Sequence, residues 1–187
     1  MRKNFSLPRL IIVNGVPGSG KTTLSTGLSS GNLSGILNKI QAVYLNKDLI
    51  NNAFTLSRAD DKMYQSVRSN TYVVMDNLAL ANLKLGNSVL LEGTFRGQSD
   101  FIERYQELAK KGGAVLKIVR TVLPEKVLRE RIAQRNYRRD FHKLNKWKDF
   151  LEKEPIRISL PSGSCEVDMN LDFVKNVERV VQYINER

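Results

Sequence analysis

The sequence is poor in the residues that build disulfide scaffolds and metal cages. It holds one cysteine, Cys165, and one histidine, His142, in 187 residues. An intramolecular disulfide and a cysteine-based zinc site are therefore excluded, and a reducing compartment fits. His142 lies in a basic stretch with no partner for nucleophilic catalysis, and reads as an exposed residue rather than a ligand or base. No apolar run is long enough to cross a bilayer; Leu10–Val13 stops at polar Asn14. The basic start Met1-Arg2-Lys3 leads into no signal-peptide pattern, so a cytoplasmic location is expected. Acidic residues are also scarce: 19 against 30 Lys and Arg, for a net charge of +11. That balance favours anionic partners such as nucleotide phosphates, a phosphorylated substrate, nucleic acid or an acidic protein. Charge alone does not choose among them, because many basic proteins bind nothing unusual. No repeat, low-complexity tract or linker interrupts the chain, and its length fits a single domain over residues 1–187.

What is present is an alternation of two periodicities. Leu10–Val13 reads as a buried strand, Lys21–Leu28 as a helix and Ala42–Leu45 as a second strand. Residues 59–85 have helical spacing (Met63, Val67, Val74, Met75, Leu78), which Gly86-Asn87 stops. Strands follow at Ser88–Leu91 and Ala114–Val119, separated by a helix over Ser99–Lys111. Pro124 suits the first turn of another helix, running through Arg135. Residues 136–147 are polar and basic, so that helix is expected to break there. Cys165–Met169 and Arg157–Leu160 compete for the last strand, before a helix over Asp172–Asn185. Strands alternating with helices imply a parallel sheet with helices packed on it.

Between the first strand and the first helix stands Gly15-Val16-Pro17-Gly18-Ser19-Gly20-Lys21-Thr22-Thr23, a Gly-x-x-x-x-Gly-Lys-Thr pattern in its confirming context. The glycines let the backbone turn tightly and aim its N–H groups at phosphate oxygens. The helix starting at Lys21 adds its positive end. Lys21 then supplies a charge to the β- and γ-phosphates, and the Thr22 hydroxyl is a ligand for Mg²⁺. A ligand-free glycine turn is the alternative, and it leaves the full pattern unexplained. Asn46-Lys47-Asp48 is not the guanine-reading Asn-Lys-x-Asp motif, because its aspartate comes one place early and too close to the loop.

Three further segments carry a resemblance. They are Val43-Tyr44-Leu45-Asn46-Lys47-Asp48, Val89-Leu90-Leu91-Glu92-Gly93-Thr94-Phe95-Arg96 and the Pro124–Arg135 helix, with Arg131 and Arg135 seven and eleven residues after the proline. Together with the glycine loop they resemble the small P-loop kinases, an AAA-type P-loop outline. The nearest likeness is to the polynucleotide 5′-kinase, zeta-toxin and predicted-kinase group, within a wider set that includes gluconate, shikimate and chloramphenicol kinases. The likeness runs from about Arg9 to Arg135. It implies a three-layer α/β P-loop NTPase fold with a five-stranded parallel sheet, order 2-3-1-4-5, and a small helical lid at about 125–150.

The resemblance also implies roles. Asp48 would take the proton of an acceptor hydroxyl, the alternative being a helix N-cap. Glu92 would help to hold Mg²⁺, or else form an ion pair. Thr94 would touch the acceptor or the γ-phosphate, or serve a turn. Arg131 and Arg135, four apart on one helix face, would close over ATP and neutralise the transferring phosphoryl group. Tyr64 and Arg68, on the long helix, could reach an anionic acceptor. Polynucleotide kinases carry an arginine three residues after the aspartate; here that residue is Asn51, which disfavours a nucleic-acid end as acceptor. Arg138, Arg139, Lys143, Lys146 and Lys148 with Tyr137, Phe141 and Trp147 interleaved could stack bases, but a lid with packing aromatics is the preferred account. The expectation is an ATP- and Mg²⁺-dependent phosphotransferase with an unidentified hydroxyl acceptor. Its alternatives are a polynucleotide 5′-kinase and a nucleotide-dependent RNA- or protein-binding NTPase. Oligomeric state is not legible.

Overall fold

The computed structural model describes residues 7–29, 40–54, 61–95 and 98–186, and of residues 61–69, 98–99 and 138–139 the backbone alone. In chain order the elements are β1 (Arg9–Asn14), α1 (Lys21–Ser29), β2 (Ala42–Asn46), α2 (Lys47–Phe54), α3 (Asp61–Lys84), β3 (Ser88–Gly93) and α4 (Gln98–Gly112). Then come β4 (Val115–Val122), α5 (Glu125–Gln134), α6 (Arg138–Asn145), α7 (Trp147–Lys153), β5 (Cys165–Asp168) and α8 (Phe173–Asn185). The five strands form one sheet in the order β2-β3-β1-β4-β5, with every neighbouring pair parallel.

β1 shows why the sheet is covered twice. Successive side chains of a strand point to opposite faces. Ile11 and Val13 enter a core with Leu24 and Leu28 of α1, Leu128 and Ile132 of α5 and Val177, Val180 and Ile184 of α8. Leu10 and Ile12 enter a second core with Met75, Ala79 and Leu83 of α3 and Phe101 and Tyr105 of α4. A strand buried on both faces has no polar alternation, which is why Leu10–Val13 is uniformly apolar. The result is three layers.

The last strand is β5, Cys165–Asp168, paired with β4. Arg157–Leu160 forms no strand; its apolar residues Ile158 and Leu160 pack as a loop against the second core. The lid begins as expected and then divides. α5 ends at Gln134, Asn136 turns with φ +49°, and α6 and α7 follow as separate short helices. Beyond the sequence expectation is α2. Its N-cap is Asn46, whose side-chain carbonyl accepts the Leu49 N–H at 2.9 Å, so the capping role weighed for Asp48 falls to Asn46.

Because the chain runs from β1 to one side and later to the other, the crevice opens at the carboxyl end of β1. Asn14, Asn46, Glu92, Thr121 and Asp168 stand at or next to the carboxyl ends of the five strands. No helix among the described residues is long and apolar enough to cross a membrane.

Candidate active site

The loop after β1 is shaped before any ligand arrives. Asn14 is buried, and its side-chain carbonyl accepts the Gly15 N–H at 2.6 Å. Thr121, at the end of β4, donates its hydroxyl to the Asn14 carbonyl at 3.3 Å. The Ser19 hydroxyl bonds Thr121 Oγ1 at 2.6 Å, closing the loop back onto the sheet. A Cβ on Gly15 would stand 2.3 Å from Thr121 Oγ1, so only glycine allows this approach. Gly18 and Gly20 both have φ +92°, the region that glycine occupies without strain. A Cβ on Gly18 would also meet Leu128, Ile132 and the Arg135 guanidinium, so the lid helix rests on the loop.

Lys21 begins α1, and its ammonium donates to the Val16 carbonyl at 3.0 Å, folding the side chain along the loop. Burial lowers its pKa to about 8, while the nearby Glu92 and Asp48 carboxylates oppose the shift. A triphosphate there would restore the charge.

Glu92 closes the site from β3. It is almost fully buried, so its charge needs partners. One oxygen accepts the Thr22 hydroxyl at 2.5 Å. The other accepts Asn46 Nδ2 at 2.9 Å and a short bond from the Tyr44 hydroxyl. Burial and that carboxylate push the Tyr44 pKa well up, so the phenol stays a donor. Thr22 and Glu92 thus present hard oxygen donors beside the phosphate loop, a set that suits Mg²⁺. Among the described residues no three His, Cys, Asp or Glu converge to hold a metal. An ion at Thr22 would draw further ligands from phosphate and water.

One cleft of about 660 Å³ joins these groups to the rest. Lys21, Thr22, Thr23, Asp48, Glu92, Thr94, Arg131 and Arg135 all line it, with Pro17, Gly18 and Gly20 of the loop. Asp48 sits in the first turn of α2, its side chain 63% exposed and paired with Lys47 at 3.2 Å. Thr94 is bonded within the protein. Its hydroxyl donates to the Gly15 carbonyl at 3.4 Å, and its own carbonyl accepts the Tyr72 hydroxyl at 2.7 Å. Arg131 donates to the Met169 carbonyl at 3.1 Å, tying the lid to the end of β5. Arg135 stands beside the loop with its Cζ 5.9 Å from the Tyr137 ring. The side chains of Tyr64 and Arg68 lie outside the described residues.

Asn51 does not line the cleft. It is buried at the α2–α3 contact and accepts the Thr71 hydroxyl at 3.3 Å. In the basic stretch, Trp147 is buried, donates to Glu125 at 2.7 Å and lies 5.6 Å below the Arg129 guanidinium. It is a packing residue, and His142 is exposed. The sequence expectation gave no site role to Asn14, Tyr44, Asn46, Lys47, Thr121, Asp140 and Glu154, and placed Lys143 only in the basic lid stretch. Of these, Asn46, Lys47, Asp140, Lys143 and Glu154 also line the cleft.

A family model described as an AAA domain matches residues 10–153. No curated protein sequence is significantly similar to the chain. A crystal structure from Chloroflexus aurantiacus, described provisionally as a kinase, is 27% identical, with a TM-score of 0.73 over 96% of this chain and 97% of that one. A sugar kinase from Janibacter sp. is 16% identical, TM-score 0.65, covering 95% of each chain. An APS kinase from Mycobacterium tuberculosis is 12% identical, TM-score 0.65, over 96% and 98%. All three share this fold.

Proposed function

The chain belongs to the AAA domain family, and within it we propose an ATP-dependent phosphotransferase that moves the γ-phosphoryl group to a hydroxyl of a small or nucleotide-like acceptor. The observation that carries this reading is the single cleft lined by Lys21 and Thr22 of the glycine loop, by Glu92, by Asp48 and by both lid arginines. A fold of this kind with kinase neighbours supports phosphoryl transfer in general.

Each residue then has a task. The loop amides and Lys21 bind the triphosphate, and Thr22 with Glu92 would hold Mg²⁺, which would neutralise developing negative charge on the phosphates. Asp48 orients the acceptor hydroxyl and takes its proton as the new O–P bond forms and the bond to the ADP oxygen breaks. Arg131 and Arg135 stabilise charge on the transferring group. The open cleft beside Asp48 and Thr94 favours transfer over a nucleotide-dependent binding role. Nucleic acid is the less favoured acceptor, because the place where polynucleotide kinases carry a phosphate-holding arginine is filled by the buried Asn51.

Phosphorus NMR of MgATP with panels of sugars, nucleosides, 5′-hydroxyl oligonucleotides and antibiotics tests this. A phosphomonoester resonance is expected with one class, and Asp48→Asn should abolish it while sparing ATP binding. Transfer at the wild-type rate by Asp48→Asn would reject the base.

A further inference from the structure

Asp140, in the first turn of α6, has no part in the roles above, yet it is one of the most deeply buried charges in the protein at 2% exposure. A carboxylate at that depth needs a cation. It has Lys143, one helical turn on, in direct contact with Oδ1. Its other oxygen, Oδ2, has no hydrogen-bond partner among the described residues and faces Nε of Arg135 at 4.0 Å. Arg135 Nε and Nη2 are likewise buried without a hydrogen-bond partner among the described residues. Nη2 lies over the glycine loop, 2.8 Å from where a Cβ on Gly18 would stand. The guanidinium therefore has a carboxylate facing its Nε and the phosphate cradle beside its Nη2.

We propose that Asp140 is the positioning residue for Arg135: its carboxylate, facing Nε, holds the guanidinium so that Nη2 is presented to the transferring phosphoryl group. This rests on the phosphotransferase reading. A long arginine left free would spend most of its time out of register, and small misplacements are costly in phosphoryl transfer. A planar fork held along one edge keeps its other donors aimed. Lys143 completes the device. One carboxylate shared by two cations leaves a net positive charge at the cradle, so Asp140 steadies Arg135 without cancelling its field.

The test needs no acceptor. Calorimetry measures affinity for MgADP and for MgADP with aluminium fluoride, which mimics the transferring group, in wild type, Asp140→Asn, Arg135→Ala and the double variant. In wild type, fluoride should tighten binding. Asp140→Asn should cost about 10- to 100-fold of that gain while MgADP affinity stays within about threefold, the latter also reporting an intact fold. In the Arg135→Ala background, Asp140→Asn should cost nothing more. Equal losses with and without Arg135, or no loss at all, would overturn the positioning role. If Asp140→Asn fails to fold, Asp140→Glu keeps the buried charge and moves the carboxylate by one methylene; a full fluoride gain in that variant would equally refute the role. Absence of MgADP binding in wild type would instead sink the phosphotransferase reading, and this inference with it.

Discussion

Thr121→Val is the sharpest probe of how the cradle is held. Thr121 is fully buried, and its Oγ1 hydrogen-bonds both Ser19 of the loop and Asn14 at the end of β1. It accepts from Ser19 at 2.6 Å and donates to the Asn14 carbonyl at 3.3 Å. Valine keeps the branch but puts a methyl where that oxygen was. Ser19 Oγ, itself fully buried, then loses its partner, which costs about 1–3 kcal/mol. The methyl also crowds Ser19 and the Gly15 backbone, adding about 1 kcal/mol. The total is about 2–4 kcal/mol. At about 2–4 °C per kcal/mol for a domain of this size, melting should fall by roughly 4–16 °C. Because the damage sits in the loop, affinity for a Mg²⁺-bound triphosphate should weaken too. Thr121→Ser restores the hydroxyl and should recover most of both losses. Differential scanning calorimetry with and without nucleotide reads the two effects. A Thr121→Val protein that melts within 1 °C of wild type and binds triphosphate equally would refute the argument.

Two further predictions follow from the same loop. Lys21 titrates near 8 in the free protein against 10.5 for an ordinary lysine, so triphosphate affinity should fall as pH rises through about 8, and binding above that pH should take up a proton. Calorimetry at pH 9 in buffers of different ionisation enthalpy measures the uptake; no buffer dependence there would contradict the shift. The sign for folding is opposite. The unfolded chain holds this proton up to 10.5 and the folded one releases it near 8, so Lys21 makes the ligand-free protein more stable as pH rises across that window. Gly18→Ala forces φ +92° on alanine and pushes on Leu128, Ile132 and Arg135, costing about 1–3 kcal/mol. It should lower melting by roughly 2–12 °C and slow turnover more than it weakens ADP binding, because the lid must lift.

The parts of this protein written in contiguous residues were legible. The glycine loop is local: each glycine serves its own turn, and Lys21 and Thr22 follow in the helix it opens. The uniformly apolar Leu10–Val13 and Val89–Leu91 announce strands covered on both faces, and the sheet order follows from the kinase resemblance. Short polar elements were not legible. α6 and α7 carry too few apolar residues to show a period, and α2 starts from Asn46, whose capping bond looks in sequence like any strand end. Arg157–Leu160 alternates like a strand because Ile158 and Leu160 pack against the second core. The loop's supports were invisible for another reason. Ser19 and Thr121 are 102 positions apart, and Asn14 and Thr121 are 107; nothing local marks such a pair. Asp140 hid among lysines and arginines that read as a basic lid with packing aromatics, and only its burial reveals it.

The account depends most on the glycine loop gripping a triphosphate through Lys21. Titration calorimetry with a non-hydrolysable ATP analogue, with and without Mg²⁺, measures this in wild type and Lys21→Ala. The expected result is one site per chain, tighter with Mg²⁺, and weakened about 10- to 100-fold when the ammonium is removed. Equal affinity in the two proteins, or none in wild type, would contradict it.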